Sequence, residues 1–241
     1  MADEWRIQEQ MLQTVADALG PELLRQVAFV GGCTTALLLT DDFSREAVRF
    51  TEDVDVIVHV LGYGKWQGLL TELRQRGFRE SPEDDIICRM RLPNALIGRD
   101  LLVDFMPDDE AILNFTNRWY RDALQTAADH ALPSGSVIRV VTPDYFLATK
   151  LEAYRGRGRN DLLASRDIED ILAVVDGRPS LLDELAQAEP AVRHYIAQAI
   201  AALLSHRDFA YAVQATARQQ QAREELIFQR LEAITTLPVA H

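Results

Sequence analysis

The chain has little cysteine, little positive charge and no long apolar run, and each shortage argues against a class of protein. Its two cysteines, Cys33 and Cys88, are too few for a metal or disulfide framework, so we expect both to be buried, small apolar residues in a reducing cytoplasm. The apolar runs fall short of a membrane span, and the acidic N-terminus is unlike a signal peptide. We therefore expect a soluble, cytoplasmic protein with no membrane partner.

The excess of acidic side chains limits how this chain could bind nucleic acid. With 37 Asp and Glu against 25 Lys and Arg, the formal net charge is −12. Because nucleic-acid binding depends on neutralising phosphates, any contact with RNA must come from a local basic patch. We expect no zinc site, since no companions at ligand spacing accompany His130, His194, His206 and His241.

The stretch from Phe29 to Val60 combines two features that suit phosphates and metal ions. Gly31 and Gly32 follow a short apolar strand and, having no Cβ, let backbone amides approach a phosphate closely. Asp53 and Asp55 open a valine-rich strand, and because side chains alternate along a strand, both carboxylates point to the same side. Mg²⁺ prefers oxygen ligands of this kind together with substrate phosphates. The alternative interpretation is a turn before a helix and an acidic start to a strand.

A third carboxylate, Asp104, lies inside the apolar strand predicted from Leu101 to Met106. A buried carboxylate is costly unless it is paired or bound to a metal. We expect Asp104 to meet Asp53 and Asp55 across adjacent strands, as a third metal ligand or as the general base for an acceptor hydroxyl. It could instead cap a turn near Pro107.

The order of Gly31-Gly32 and then Asp53-x-Asp55 resembles the signature of the polymerase-β-type nucleotidyltransferase superfamily. This resemblance implies an α/β (α+β) fold, with a nucleotidyltransferase-type mixed sheet and flanking helices. The implied ligands of a Mg²⁺ or Mn²⁺ ion are Asp53, Asp55 and Asp104. The implied nucleotide-binding residues are Gly31, Gly32, Thr51 and Lys150.

A second segment, from Val141 to Val175, resembles the second conserved region of one branch of that superfamily, the abortive-infection AbiEii-type nucleotidyltransferase toxins. In that branch a helix carries an essential lysine and is followed by a basic turn and by a helix with an Arg/Lys-Asp-x-x-Asp-apolar pattern. The matching residues here are Lys150, the turn from Arg155 to Arg159, and Arg166 with Asp167 and Asp170. The chain departs from the branch in carrying Gly32 where many members have serine, and in a long interval between the glycines and the aspartates.

The resemblance implies catalytic roles for Lys150, Asp167 and Asp170, but their residue types alone leave alternatives open. A lysine supplies the compact charge needed beside a triphosphate, although Lys150 could also be a solvated helix residue. Asp167 and Asp170 share a helix face and could be catalytic, helix-capping or surface-paired, and which of them is catalytic stays open. The predicted RNA-binding residues are Arg155, Arg157, Arg159 and Arg166. Their turn could equally be a flexible, solvated loop.

Hydrophobic periodicity predicts two domains. Strand signals end near residue 142 and helical periodicity dominates afterwards, so we predict a nucleotidyltransferase domain over residues 1–142 and an all-helical domain over residues 143–241. In the first we expect a helix over Glu4–Leu19 that ends at the following Gly-Pro pair, a polar loop over 41–49 and a strand over Ile86–Leu92. In the second we expect helices over residues 145–154, 165–175, 190–205 and, as one or two helices, 209–237.

The function implied by the resemblance is transfer of a nucleoside monophosphate from an NTP to a hydroxyl, with release of pyrophosphate. The acceptor would be a tRNA or another RNA end. The protein would be the toxin of a toxin–antitoxin or phage-defence pair, with an antitoxin protein as a further partner. The alternatives are a small-molecule adenylyltransferase of the aminoglycoside- or lincosamide-modifying kind, and a non-catalytic nucleotide-binding or protein-interaction module. The joint presence of Asp53, Asp55 and Asp104 argues against the last of these.

Overall fold

The computed structural model describes residues 4–94, 98–113, 116–157 and 161–238. The chain forms two compact units, one made of residues 1–34 and 49–142 and the other of residues 35–48 and 143–241. The segment 35–48, which separates the glycines from the aspartates in sequence, therefore belongs to the second unit. The sequence prediction assigns residues 35–48 to the first domain, because this segment lies between two strands that are predicted for that domain.

The first unit is built on a six-stranded mixed sheet. The strands are β1 (Val27–Val30), β2 (Asp53–Val58), β3 (Arg89–Leu92), β4 (Leu101–Pro107), β5 (Ala128–Ala131) and β6 (Val137–Val140). Their order across the sheet is β3-β4-β2-β1-β6-β5. β2 runs antiparallel to β1 and parallel to β4, so this strand has a partner on each side. Its alternate valines Val54, Val56 and Val58 are buried, as expected of a central strand.

Helices of the first unit flank this sheet, and the elements described in the second unit are helices. They are α1 (Glu4–Leu24), α2 (Thr35–Leu38), α3 (Asp42–Glu46), α4 (Tyr63–Gln75), α5 (Glu110–Leu113), α6 (Tyr120–Thr126), α7 (Pro143–Gly156), α8 (Arg166–Gly177), α9 (Leu181–Gln187), α10 (Pro190–Leu204), α11 (Phe209–Thr216) and α12 (Gln221–Thr235). At this level the predicted α/β architecture, a mixed sheet with flanking helices, is confirmed. Among the described helices, none combines the length and the apolar character that a membrane crossing requires.

The first helix is longer than its sequence predicts. Gly20 has φ 67° and ψ 169°, which are not helical values, but the helix resumes after it and continues to Leu24. Pro21 has no N–H to donate to the preceding turn. The Arg76 guanidinium donates to the Leu19 carbonyl at 2.6 Å, so an acceptor beside the kink is satisfied from outside the helix. The Gly-Pro pair therefore kinks the helix and does not end it.

Two strands differ from the sequence prediction. β3 begins at Arg89 and not at Ile86, and the two isoleucines that suggested an earlier start are exposed, Ile87 by 74%. β5 was not predicted, because it combines alanines with Asp129 and His130 and is largely exposed. It forms by antiparallel pairing with β6 at the edge of the sheet. The pairing partner, and not local β-propensity, makes this segment a strand.

The segment 35–48 is fixed to the helices of the second unit by a buried polar network. The backbone N–H groups of Thr40 and Asp41 both donate to the Gly177 carbonyl at 3.0 Å. The Ser44 hydroxyl donates to Asp176 at 2.9 Å, and Arg223 donates to Asp176 at 2.8 Å. A hydrogen bond from Arg223 also lowers the pKa of Asp41, which caps α3. α3, predicted as a loop, thus forms a helix with a tertiary anchor on α8 and α12.

Replacing Gly177 by alanine tests this anchor. A Cβ at this position would lie 2.6 Å from the Cβ of Ser44, which is too close for either backbone to stay in place. We expect Gly177→Ala to lower the free energy of unfolding by about 1–3 kcal/mol, as overpacking does. The matched control is Gly156→Ala, also on a helix of the second unit, where a Cβ would meet nothing within 4 Å. Equal urea-unfolding midpoints for the two variants would contradict the close packing of α3 on α8.

Candidate active site

The glycine turn is shaped around the carboxylate of Asp55. Gly31 follows β1 with φ +82°, a conformation that other residues rarely adopt. A Cβ at Gly31 would lie 1.8 Å from Oδ2 of Asp55, so the carboxylate occupies the space where a side chain would be. Thr34 closes the turn, because its N–H and its hydroxyl both donate to the Gly31 carbonyl, at 3.1 and 2.9 Å. Backbone and carboxylate are therefore held in direct contact at this end of β1.

The residues of the site form a row across four strands. Val30 of β1 pairs with Asp55 of β2, Asp55 pairs with Asp104 of β4, and Asp104 pairs with Arg89 of β3. Directly paired residues share a face of the sheet, so these side chains emerge on the same side. The structure thus brings Asp104 beside Asp55 across adjacent strands, as the strand patterns predict.

Arg89 is the partner of Asp104, and the sequence interpretation had missed it. Its Nε and Nη2 donate to the two oxygens of Asp104, each at 2.8 Å, and Nη2 also donates to Asp53 at 3.2 Å. Burial raises the pKa of Asp104 above its ordinary value, and the hydrogen bonds from Arg89 offset only part of this rise. Because both Asp104 oxygens accept from the guanidinium, we assign the ionised, acceptor-only form. In the sequence, Arg89 and Arg91 alternate with apolar residues, which indicates a strand with both arginines on one face. Identifying Arg89 as the partner of Asp104 also requires the pairing register of β3 and β4.

Asp53 is held by two donors. The Thr51 hydroxyl donates to its Oδ1 at 2.6 Å, and Arg89 approaches its Oδ2. Thr51 is buried, so in the structure its hydroxyl orients a carboxylate, and contact with a nucleotide stays a prediction. The side chain of Asp53 is 33% exposed and that of Asp104 is 9% exposed. Asp53 is therefore the more accessible of the two carboxylates to a ligand.

Both cysteines are free and buried, as predicted, and they lie close to the acidic row. Burial raises the pKa of the Cys33 thiol well above its ordinary value, and Asp55 and Asp53 raise it further. Burial, with Asp104 and Asp55 adding to it, raises the pKa of Cys88 to about 12. Both side chains are therefore neutral thiols at neutral pH and do not provide thiolate ligands.

The carboxylates fit a hard divalent cation that takes few protein ligands. Within the described parts of the chain, no three Asp, Glu, His or Cys side chains converge as a complete metal cage. Mg²⁺ is commonly held by one or two carboxylates, with waters and substrate phosphates completing its octahedron. Asp53 and Asp55, which share a strand face and are partly exposed, match that requirement. A metal role for Asp104 stays a prediction, with both of its oxygens bonded to Arg89.

The second unit contains a buried cluster of three charged residues. Lys150 of α7 is only 8% exposed, and its Nζ lies 2.6 Å from Asp170 and 3.4 Å from Asp167. Both aspartates are on α8 and are buried. The alternatives of a solvated lysine and of surface-paired aspartates are therefore wrong. Both aspartates lie next to apolar residues of α8 that pack into the core, Ile168, Ile171 and Leu172. Catalysis by Lys150, Asp167 or Asp170 stays a prediction.

The basic turn after α7 is partly tied to this cluster. The side chain of Arg157 is 74% exposed, and its Nη1 donates to Asp167 at 3.2 Å. The side chain of Arg155 is 50% exposed and lies 3.7 Å from Glu152. Arg166 is exposed at the first position of α8, whereas Arg159, the fourth predicted RNA-binding residue, lies outside the described residues. The described arginines thus present guanidinium groups to solvent on an acidic chain.

Comparison with known proteins adds no relative to this picture. No protein-family model matches the chain, and no curated protein matches its sequence. The resemblance to nucleotidyltransferases therefore depends on the residue patterns alone and stays a prediction.

The buried lysine gives a direct test of the second cluster. In Lys150→Met the two aspartates lose their ammonium partner, so we expect the free energy of unfolding to fall by about 3–5 kcal/mol, as when a buried ion pair loses one member. The chain's other lysine, Lys65, is exposed on α4, and Lys65→Met should change stability by about 0.5 kcal/mol or less. Urea unfolding of both variants makes the comparison. A loss in Lys150→Met no larger than that in Lys65→Met would contradict the buried pairing.

Proposed function

We propose that the protein is a metal-dependent nucleotidyltransferase of the polymerase-β type, which transfers a nucleoside monophosphate from an NTP to a hydroxyl of an RNA end and releases pyrophosphate. The observation that carries the proposal is the acidic face of β2. Asp53 and Asp55 share this face, the Gly31 backbone lies against Asp55, and Asp104 is the cross-strand neighbour of Asp55. A glycine turn and a pair of carboxylates in direct contact suit a triphosphate and its cation together.

In this proposal Asp53 and Asp55 hold the cation, and their positions are set in advance by the chain. Asp53 is oriented by Thr51 and Arg89, and Asp55 by its contact with Gly31. A bound Mg²⁺ would supply positive charge for the triphosphate oxygens and for the departing pyrophosphate. The absence of a Cβ at Gly31 lets the Asp55 carboxylate lie directly against the backbone of the turn, which fixes it for the cation. Fixed carboxylates need little reorganisation when charge develops during transfer.

The second unit contributes the lysine and aspartates that the AbiEii-type resemblance assigns to catalysis. Support comes from the burial of Lys150 beside Asp167 and Asp170, because a lysine with two carboxylate partners is fixed in place. A flexible surface lysine would lack this property. On the same resemblance we propose a catalytic role for Lys150, with its ammonium oriented by Asp170, its closer partner.

The exposed arginines support an RNA acceptor. Arg155 and Arg157 are at least half exposed, and Arg166 starts the next helix, so three guanidinium groups lie within a short stretch of a chain with net charge −12. Phosphate backbones are bound by such local clusters, whereas a small acceptor would not need them. On the same resemblance we propose that the protein acts as the toxin of a toxin–antitoxin or phage-defence pair.

The experiment follows labelled nucleotide from each of the four NTPs, with Mg²⁺, onto total cellular RNA. We expect label on RNA with the wild-type protein, and a rate lower by about a thousandfold, or about 4 kcal/mol, in Asp55→Asn. Asp129→Asn, which changes an exposed carboxylate on β5 of the same sheet, should keep the wild-type rate.

The outcome separates the proposal from its alternatives. Transfer by Asp55→Asn at the wild-type rate would contradict the assignment of the acidic face. Label on an added aminoglycoside or lincosamide, with none on RNA, would favour the small-molecule adenylyltransferase. Nucleotide binding without transfer to any acceptor would favour a non-catalytic module.

A further inference from the structure

The salt bridge between Arg89 and Asp104 restricts what else Asp104 can bind. Asp104 is 6% exposed, and each of its oxygens accepts one N–H of the same guanidinium at 2.8 Å. A divalent ion on this carboxylate would bring two positive charges beside the guanidinium in a site from which water is largely excluded. Electrostatic repulsion is weakly screened there, so a carboxylate with both oxygens bonded to the guanidinium does not also take a cation. Asp53 differs, because only one of its oxygens accepts from Arg89, at 3.2 Å, and its side chain is 33% exposed to screening solvent.

We propose that Arg89 takes the place of a second metal ion, holding Asp104 so that the acidic face of β2 accepts a single divalent cation on Asp53 and Asp55. The inference rests on the proposed function, because it concerns the number of metal ions at the same site. It makes Arg89 a positioning residue and assigns Asp104 to Arg89, in contrast to the third metal ligand that the sequence predicts.

The geometry of Arg89 suits this role. Its position on β3 is paired directly with Asp104 on β4, so the guanidinium reaches both carboxylate oxygens in parallel. Such a fork of two N–H donors matches a carboxylate in a way that a lysine cannot. The side chain is 14% exposed, so water competes little for its donors. An arginine also stays protonated at any working pH, which makes it a permanent substitute for a bound cation.

Arg89 also links Asp104 to Asp53. Its Nη2 donates to Asp104 at 2.8 Å and to Asp53 at 3.2 Å, while Thr51 binds the other oxygen of Asp53. The guanidinium therefore holds Asp53 and Asp104 at a fixed separation. In a site with two metal ions, a bridging cation would perform the same task.

The test counts Mn²⁺ ions on the full-length protein in the presence of a non-hydrolysable NTP analogue, by equilibrium dialysis and by electron paramagnetic resonance. We expect the wild-type protein to bind one Mn²⁺ with no Mn–Mn coupling. Arg89→Gln should release Asp104, raise the ratio from one to two and produce a coupled pair. Arg89→Gln/Asp104→Asn, which removes the released carboxylate, should return the ratio to one. Arg91→Gln is the matched control, because Arg91 lies on the same strand as Arg89 and makes a similar forked pair with Asp84. The number of Mn²⁺ ions bound per Arg91→Gln protein should stay at one.

The number of bound Mn²⁺ ions decides whether the single-ion inference, the proposed function or both are wrong. Two coupled Mn²⁺ ions in the wild-type protein would overturn the inference, and this readout remains decisive if Arg89→Gln does not fold. One ion in both the wild-type protein and a folded Arg89→Gln would overturn the inference and leave the proposed function intact. No bound Mn²⁺ in the wild-type protein would overturn both.

Discussion

A carboxylate buried in the interior of a sheet needs a positive partner, and the site on the first unit depends on how Asp104 obtains one. Asp104 is beside Asp55 on the next strand, so without compensation the two carboxylates would repel each other in a poorly solvated place. Arg89 provides the compensation from the opposite side of Asp104. The strand order β3-β4-β2 is what makes this possible, because it puts the arginine and the second aspartate on either side of the buried carboxylate.

The parts of this arrangement that follow a local rule were predictable from the sequence. Alternation along β2 placed Asp53 and Asp55 on one face, and an isolated carboxylate among apolar residues marked Asp104 as a member of a polar cluster. The role of Arg89 was not predictable in this way, because it depends on the register between β3 and β4. The inclusion of segment 35–48 in the second unit likewise depends on a tertiary partner, because Asp41 accepts a hydrogen bond from Arg223, which is distant in sequence.

Buried carboxylates of the second unit are also compensated by a positive side chain, which here is Lys150. Lys150 and the two aspartates of α8 are all buried, and each charge is tolerated because an opposite charge lies within 3.4 Å. Periodicity identified the apolar face of α8 correctly, but it could not show that the aspartates would be buried beside that face. Periodicity predicts the position of an amphipathic helix such as α8, whereas the burial of a charged side chain depends on the presence of a partner on another helix, here α7.

The central claim is that Asp53 and Asp55 form a site for a metal-bound triphosphate, and calorimetric titration with each NTP in the presence of Mg²⁺ tests it most directly. We predict that the wild-type protein binds at least one NTP, that chelation of the metal abolishes the heat of binding, and that Asp55→Asn weakens binding by more than tenfold, about 1.4 kcal/mol. Equal affinities of the wild-type protein and Asp55→Asn for the same nucleotide, with Mg²⁺ present, would contradict the account.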